Sequence, residues 1–258
     1  MSRKLEFQKI EEQDYATREA FNSLRTNLSF CGDDVKTVMF TSCTPNEGKS
    51  TITIELARSL GMDGKKVILV DADLRKSVFT GRYGIKANEE IFGLSHYLSG
   101  QKKVEQIISE TNLENVDMIL AGPVVPNPTA LLGNHYFEKL LEQLKQSYDM
   151  VLIDCPPLGW VIDAAVIAPK CDGSILVIES GAISYRYLQD VKKQLDLTGC
   201  RILGCVLNKV EAGTGGYYNR YGGKYGKYGK YGKYGKYGKY GEYGRYGESE
   251  KTDSVKNS

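Results

Sequence analysis

Six short apolar runs, separated by amphipathic segments, constrain the fold of this chain more than any other feature of its sequence. The runs are almost continuously hydrophobic and rich in β-branched residues, rather than alternating between apolar and polar positions. Strands of this kind are typical of a parallel sheet whose two faces are both covered. The sequence therefore predicts an α/β fold, doubly wound, with a mainly parallel sheet. The predicted strands are 37–41, 66–71, 117–121, 150–154, 174–179 and 201–208.

Three segments outside the predicted strands have the apolar spacing of amphipathic helices. In segment 49–60, Ile52, Leu56 and Leu60 recur every four residues. Segments 17–28 and 134–146 show the same kind of apolar face. Ligands of doubly wound sheets bind beyond the carboxyl ends of the strands, so the polar residues that follow each strand are the candidates for function.

A phosphate-binding loop is predicted between the first of these strands and the helix that follows it. Residues 42–51 read SCTPNEGKST and place Gly48, Lys49 and Ser50 in the strand-loop-helix setting that such a loop requires. In loops of this kind, backbone N–H groups surround the phosphates, the lysine neutralises their charge and the serine hydroxyl binds Mg²⁺. The first glycine of the common pattern is Cys43 here, but the flanking strand and helix favour a nucleotide site over a chance match.

Three aspartates follow or end predicted strands. Asp71 and Asp73 come at the end of strand 66–71, and Asp154 ends strand 150–154. A carboxylate at the mouth of a buried strand is costly unless it has a partner, and Mg²⁺ is the expected partner beside a nucleotide. If strand geometry persists, Asp71 and Asp73 point the same way, so that one orients the metal while the other accepts a proton.

The C-terminal end of the chain differs in composition from the rest. The tripeptide Lys-Tyr-Gly repeats through 224–241, and 11 of the 18 tyrosines lie between Tyr217 and Tyr246. A glycine at every third position supports neither a helix nor a packed core, so this tail is predicted to be disordered. Residues 217–258 carry a net charge of +6, which leaves −4 for residues 1–216 and +2 for the chain. The predicted parts are a helical segment at 1–34, a P-loop domain at 35–212 and the repeat tail at 213–258.

Neither a zinc site nor a membrane-spanning helix is predicted. The six cysteines form no C-x-x-C pair, and the chain has two histidines, His96 and His135. The longest apolar stretch, 150–168, is interrupted by two aspartates and two prolines.

The motifs together resemble those of the bacterial tyrosine kinases (BY-kinases) of capsule and exopolysaccharide biosynthesis. Within that family the chain looks like the stand-alone, CpsD- or CapB-like kinase subunit, whose P-loop fold is similar to that of Mrp and MinD. The resemblance covers roughly residues 15–250. It is carried by TPNEGKST, ILVDADLR and VLIDCPP, by the segments EAFNSLRTNLSF, GLSHYLSG and AGPVVPNPTALL, and by the tyrosine cluster at the C-terminus.

This resemblance implies an ATP-dependent protein-tyrosine autokinase that phosphorylates its own C-terminal tyrosines in trans. It implies catalytic roles for Lys49, Asp71, Asp73 and Asp154, with Asp71 activating the tyrosine hydroxyl, and Mg²⁺ ligation by Ser50, Asp73 and Asp154. The implied nucleotide contacts are Thr44, Pro45, Asn46, Glu47, Gly48, Lys49, Ser50, Thr51 and Asn208. The implied phosphoacceptors are Tyr225, Tyr228, Tyr231, Tyr234, Tyr237, Tyr240, Tyr243 and Tyr246.

The resemblance also implies partners. Members of the family commonly carry an E-x-x-R-x-x-R helix that packs subunits into a ring, an octamer in the family picture. Glu19 and Arg25 match this motif, whereas Asn22 replaces its first arginine. A Wzz-like transmembrane activator would recruit the cytoplasmic chain to the inner face of the cell membrane, and a cognate protein-tyrosine phosphatase would reverse the reaction.

Two other functions are alternatives on the sequence. A positioning ATPase of the MinD or ParA type would share the P-loop without kinase activity, but such proteins usually carry a signature lysine where Thr44 stands, and they lack a tyrosine-rich tail. Basic and aromatic residues in the tail also suit nucleic-acid binding. The P-loop and the three aspartates favour the kinase, and no nucleic-acid partner is predicted.

Overall fold

The computed structural model describes residues 3–210, in which nine strands form one sheet. The strands are β1 (Lys4–Glu6), β2 (Thr37–Ser42), β3 (Val67–Asp71), β4 (Lys86–Ala87), β5 (Ser109–Thr111), β6 (Val116–Ile119), β7 (Met150–Asp154), β8 (Gly173–Glu179) and β9 (Ile202–Asn208). The α-helices are α1 (Tyr15–Ser29), α2 (Lys49–Met62), α3 (Phe79–Tyr83), α4 (Leu94–Leu98), α5 (Pro128–Gly133), α6 (His135–Ser147), α7 (Asp163–Ile167) and α8 (Tyr185–Asp196).

The sheet is mainly parallel, as the sequence predicts. The strand order is β4-β1-β5-β6-β3-β7-β2-β8-β9. From β6 to β9 every neighbouring pair is parallel, whereas β4 is antiparallel to β1 and β5 is antiparallel to β6. All six predicted strands are present, with ends that differ from the prediction by at most two residues. The fold class is confirmed.

Apolar side chains cover both faces of the sheet. Along β2, Val38 and Phe40 belong to the core shared with α1, α2 and α3. Met39, between them, belongs to the opposite core, which includes apolar residues of α4, α6, α7 and α8. Because both faces are covered, β2, β3 and β7 are buried at every position, which explains why their sequences do not alternate.

The three predicted helices are confirmed, and two of them begin at side-chain caps. The Asp14 carboxylate accepts a hydrogen bond of 2.7 Å from the backbone N–H of Thr17 at the start of α1. The Asn134 side chain accepts one of 3.0 Å from the N–H of Tyr136 at the start of α6. Such caps satisfy backbone donors that have no partner within the helix.

The region before the first predicted strand contains more than the expected helix. Strand β1 lies in the sheet between β4 and β5, and α1 packs on α2 through Phe21 and Leu28. The repeat tail at 213–258 and its predicted disorder lie outside the described residues. None of the helices in residues 3–210 has the length and hydrophobicity of a membrane-spanning segment.

The buried centre of the sheet generates a stability prediction. Leu152 on β7 is 0% exposed, whereas Leu197, just after α8, is 88% exposed. Leu152→Ala is expected to lower the free energy of unfolding by about 2–5 kcal/mol, because it removes packed methyl groups and leaves a cavity. Leu197→Ala is the matched control and is expected to change it by less than about 0.5 kcal/mol. Urea denaturation followed by circular dichroism measures both; equal losses would contradict the placement of these residues.

Candidate nucleotide and magnesium site

The loop between β2 and α2 has the backbone shape of a phosphate-binding loop. Asn46 and Gly48 have positive φ angles of 67° and 95°, and Gly48 caps α2 at its N-terminus. A Cβ at Gly48 would lie 2.0 Å from Nδ2 of Asn208, so only glycine fits here. The fourteen-residue helix α2 begins at Lys49, and its free N–H groups and dipole favour an anion at this end.

The end of β9 holds this loop in place. Nδ2 of Asn208 donates a 2.9 Å hydrogen bond to the carbonyl oxygen of Glu47, and Nζ of Lys209 donates one of 2.8 Å to that of Asn46. Inside the loop, the buried carboxylate of Glu47 accepts a 2.7 Å bond from the N–H of Thr44. Hydrogen bonds therefore connect Asn208 to the loop that contains the other predicted contact residues, 44–51. Lys209 is an addition that no sequence pattern indicated.

Asp71 and Asp154 lie side by side at the ends of β3 and β7. The two strands are parallel neighbours, and these residues are paired in register. Both side chains are buried, and Oγ of Ser50 donates a 2.5 Å hydrogen bond to Oδ2 of Asp154. The other carboxylate oxygen of Asp154, Oδ1, is buried without a hydrogen-bond partner among the described residues.

Burial raises the pKa of both carboxyl groups. The pKa of Asp71 is raised to about 8, by desolvation first and then by the negative charge of Asp154. The pKa of Asp154 is raised to about 6 by desolvation, against the opposing positive charge of Lys49 and the hydrogen bond from Ser50. Ionising these two adjacent buried carboxyl groups is therefore unfavourable, and a bound cation would offset that cost.

Asp73 differs from Asp71 because β3 ends at Asp71 and the chain turns. Its Oδ1 atom accepts hydrogen bonds from the N–H groups of Arg75 at 3.2 Å and Lys76 at 2.9 Å. Asp71 accepts one of 3.2 Å from the N–H of Asp73 and a second from the hydroxyl of Ser77. Asp73 is 9% exposed and Asp71 is 0% exposed. Strand geometry thus does not continue to Asp73, and the two carboxylates have separate surroundings.

These residues fit Mg²⁺. The unpartnered Oδ1 of Asp154 beside the Ser50 hydroxyl is an oxygen-donor pair, and oxygen donors are what Mg²⁺ prefers. Within the described residues no group of three or more His, Cys, Asp or Glu side chains is arranged to hold a metal by itself. Mg²⁺ is commonly held by one or two carboxylates together with phosphate oxygens and water, and an arrangement of few protein ligands agrees with that mode.

Two arginines near the site have different surroundings. The guanidinium of Arg75 donates to the buried carboxylate of Asp163, with Nε to Oδ2 at 2.6 Å and a second bond of 3.0 Å, and so forms a structural ion pair. Arg82 was not indicated by any motif. Its Nη1 lies 3.2 Å from Oγ1 of Thr51, and its charge lowers the pKa of Asp154. Arg82 therefore adds positive charge at the phosphate end of α2.

The predicted assembly and acceptor residues lie away from this site or outside the structure. Glu19 is exposed on α1 and accepts a 3.0 Å hydrogen bond from Asn22. Arg25 contacts α2, with a 3.0 Å bond to the carbonyl oxygen of Ser59 and a 3.4 Å ion pair to Asp63. The predicted acceptors, Tyr225, Tyr228, Tyr231, Tyr234, Tyr237, Tyr240, Tyr243 and Tyr246, lie outside the described residues.

Comparisons with known proteins identify the family and the fold of this chain. Residues 36–198 match the family model of an AAA domain. Tyrosine-protein kinase CpsD of Streptococcus agalactiae is 45% identical over 208 residues, which cover 80% of this chain and 90% of that protein. The kinase domain of Escherichia coli tyrosine kinase ETK matches with a TM-score of 0.69 at 30% identity, over 77% of this chain and 79% of that chain. The septum site-determining protein MinD of Pyrococcus horikoshii, complexed with Mg-ADP, matches with a TM-score of 0.57 at 29% identity, over 67% and 70%.

The sheet, the phosphate loop and the matched AAA domain define a P-loop ATPase fold. Within that class, the chain belongs to the bacterial tyrosine-protein kinases of the CpsD type, the kinases of capsule biosynthesis. A MinD-like positioning ATPase is the less supported alternative, because the kinase relatives match over more of the chain and at higher similarity.

The buried pair of acids predicts a pH-dependent stability difference. The pKa of Asp71 is about 8 in the folded protein and near 3.8 in an ordinary setting, so the folded state keeps a proton that the unfolded chain releases. The stability cost therefore grows as the pH rises from about 4 towards 8. Without nucleotide or Mg²⁺, Asp71→Asn is expected to be more stable than the natural protein at pH 8 by on the order of 2 kcal/mol, with a smaller difference at pH 5.

Urea denaturation at the two pH values measures this difference. Asp33→Asn is the matched control, because Asp33 is an exposed carboxylate in the loop before β2, whereas the phosphate loop follows the other end of that strand. It is expected to show no pH-dependent gain. A gain for Asp71→Asn that is equal at pH 5 and pH 8 would contradict the raised pKa.

Proposed function

We propose that this chain transfers the γ-phosphoryl group of ATP to tyrosines in its own C-terminal repeat, on a neighbouring copy. One observation carries the proposal: the Ser50 hydroxyl, at the end of the phosphate loop, donates a hydrogen bond to Oδ2 of Asp154 at the end of β7. The other carboxylate oxygen of Asp154, Oδ1, is buried without a hydrogen-bond partner among the described residues. This is the setting that phosphoryl transfer needs, since it depends mainly on positioning and electrostatics. The chain supplies eight closely spaced acceptors in its repeat, Tyr225, Tyr228, Tyr231, Tyr234, Tyr237, Tyr240, Tyr243 and Tyr246.

Residues of the loop would bind the nucleotide. The N–H groups at the start of α2 and the ammonium of Lys49 would hold the phosphates, and Asn208 and Lys209 would keep the loop rigid while they bind. Ser50, Asp73 and Asp154 would hold Mg²⁺, which neutralises phosphate charge when it is bound.

Asp71 would act as the general base. Without a bound cation the raised pKa keeps Asp71 largely protonated at neutral pH. A cation bound beside it would favour the carboxylate, which is the form that accepts a proton, and a carboxylate with a raised pKa is a stronger base than an ordinary one. In the transfer step the phenol oxygen of the acceptor forms a bond to the γ-phosphorus and the bond from that phosphorus to the ADP oxygen breaks. The phenol proton passes to Asp71, and ADP leaves.

The repeat tail connects this reaction to assembly. Each phosphate adds about −1.5 to −2 charge at neutral pH, so roughly four would cancel the tail's +6. Glu19 and Arg25 on α1 would contribute to contacts between subunits of a ring. Glu19 is exposed and available for such a contact, whereas Arg25 already has a partner in Asp63.

An activator at the membrane would complete the system. The matched ETK structure is described as the kinase domain of a tyrosine kinase, which supports a kinase unit that works with further segments. For this chain, a Wzz-like transmembrane protein would supply the activating segment in trans and recruit the kinase from the cytoplasm to the inner face of the membrane. A cognate tyrosine phosphatase would restore the tail.

The kinase prediction is tested by mixing two variants. Lys49→Met is expected to lose at least about 100-fold of its own phosphotyrosine formation, because the phosphate charge is no longer neutralised. When it is mixed with a copy whose eight repeat tyrosines are replaced by phenylalanine, its own tail is expected to become phosphorylated in trans.

Phosphotyrosine on each copy is read by mass spectrometry after incubation with Mg-ATP and an activator peptide. Lys65→Met, an exposed lysine just before β3, is the matched control and keeps normal activity. Full activity in Lys49→Met alone would refute the site, and phosphate on core tyrosines such as Tyr15 or Tyr83 instead of the tail would refute the acceptor assignment.

A second prediction concerns assembly. Native mass spectrometry before and after incubation with Mg-ATP is expected to show a ring-sized assembly that dissociates as tail phosphates accumulate, because the tails change from positive to negative. The copy with eight phenylalanines is the control and should stay assembled. A fully phosphorylated protein of unchanged size would contradict the charge mechanism.

A further inference from the structure

Arg82, near the end of α3, places a positive charge at the phosphate end of α2, and no step of the proposed reaction uses it. Its Nη1 donates a 3.2 Å hydrogen bond to Oγ1 of Thr51, the third residue of α2. None of the salt bridges in the described part of the chain includes Arg82. A guanidinium without a carboxylate partner, beside a loop that would receive phosphates, is free to bind an anion.

The nearest acid along α2 does not account for the position of this arginine. Glu55 lies one turn after Thr51, on the same face of the helix. Its carboxylate is 3.6 Å from the guanidinium of Arg58, with which it forms an ion pair. The charge of Arg82 instead lowers the pKa of Asp154, at the end of β7. The guanidinium therefore acts on the N-terminal end of α2, where the phosphates would bind.

The short helix that carries Arg82 is fixed on both of its other sides. Phe79 and Tyr83 are buried in the core shared with α1 and α2. The carbonyl oxygen of Tyr83 accepts two hydrogen bonds of 3.1 Å from N–H groups of the segment that follows β1. The Tyr83 hydroxyl lies 3.5 Å from Oγ1 of Thr51. Because the backbone is held and the Arg82 side chain is exposed, only that side chain has to become ordered when it binds an anion.

The charge balance of the site favours a further cation. A triphosphate brings several negative charges to a place where acid groups already end β3 and β7. Of the two arginines near the site, Arg75 is bound to the buried carboxylate of Asp163. Arg82 therefore remains, beside Lys49 and a bound Mg²⁺, to offset the charge of the phosphates.

We propose that Arg82 binds the phosphate chain of the nucleotide and stabilises the charge that develops there during transfer. The inference rests on the proposed kinase function and adds a residue to its site. Oγ1 of Thr51 has Arg82 and Tyr83 as neighbours on its acceptor side, so its own proton is left to donate to the same phosphate. The phenol oxygen bonds to the γ-phosphorus, the bond to the ADP oxygen breaks and the phenol proton passes to Asp71. The guanidinium offsets the negative charge that grows on the ADP oxygen.

Nucleotide binding tests this proposal in the full-length protein without turnover. Mg-ADP and the Mg²⁺ complex of a non-hydrolysable ATP analogue are titrated by calorimetry into the natural protein, Arg82→Gln and Arg82→Lys. Arg82→Gln is expected to bind both nucleotides about tenfold more weakly, because a charge-assisted hydrogen bond to phosphate is lost. Arg82→Lys is expected to have an intermediate affinity, since it keeps the charge without the planar fork of the guanidinium.

Chemical rescue separates phosphate binding from a structural role. In Arg82→Ala, the kcat for phosphotyrosine formation is expected to fall by about 100-fold, because a charge that stabilises the transition state is removed. Guanidinium chloride at millimolar, non-denaturing concentrations is expected to restore part of the nucleotide affinity and of kcat, whereas sodium chloride at the same concentration is not. A purely structural arginine would give no such recovery, and its loss would lower the urea midpoint instead.

Arg18→Gln is the matched control, because Arg18 is exposed on α1 and is absent from the salt bridges of residues 3–210. It should keep nucleotide affinity and kcat. Natural affinity and kcat in Arg82→Gln would overturn the role of Arg82 while the kinase function stands. A loss that guanidinium does not recover, with a lower urea midpoint, would overturn it too. Absence of phosphotyrosine from every variant, with weaker nucleotide binding in Arg82→Gln, would refute the kinase function and leave phosphate binding by Arg82 intact.

Discussion

The hydrogen bond between Ser50 and Asp154 is the contact on which the rest of the site depends. It joins the first turn of α2 to the end of β7, and so it ties the loop proposed to bind phosphates to the strand whose last residue is proposed to bind Mg²⁺. The parallel sheet makes this contact possible, because β2 and β7 are neighbours and their carboxyl ends meet at one edge. Without that arrangement, the buried carboxylate of Asp154 would lack its hydrogen bond from Ser50 and would only lower the stability of the fold.

A cost in stability accompanies this arrangement. Asp71 and Asp154 are buried next to each other, and their mutual repulsion and loss of hydration work against folding. The apolar residues of β3 and β7 around them, such as Leu69 and Leu152, supply the compensating burial. Such a site gains most from a bound cation, so ligand binding and stability are coupled here.

Much of the fold and part of the site could be predicted from the sequence. Buried parallel strands leave a strong signal, because every position must be apolar, and Gly48, Lys49 and Ser50 have a spacing that few other structures require. The short strands β1, β4 and β5 could not be predicted, since two or three residues give no period and their pairing depends on distant parts of the chain. The same holds for α8, whose buried side chains are few and separated by charged residues.

The sequence also could not predict side-chain contacts between residues that are far apart along the chain. Arg82 meets Thr51 from 31 positions away, and Arg75 meets Asp163 from 88 positions away. Arg75 lies two residues after Asp73, where the sequence leaves open a phosphate contact or a structural ion pair, and the fold places the buried carboxylate of Asp163 against it. Only the three-dimensional structure shows that Arg82 lies at the start of α2, whereas Arg75 forms a structural ion pair with Asp163.

The end of β9 has a mechanical consequence. Asn208 and Lys209 grip the phosphate loop, and the repeat tail begins only a few residues later along the same backbone. The position of the nucleotide loop is therefore tied to the end of the sheet, and any displacement of the end of β9 would move the carbonyl oxygens of Asn46 and Glu47 through these two side chains.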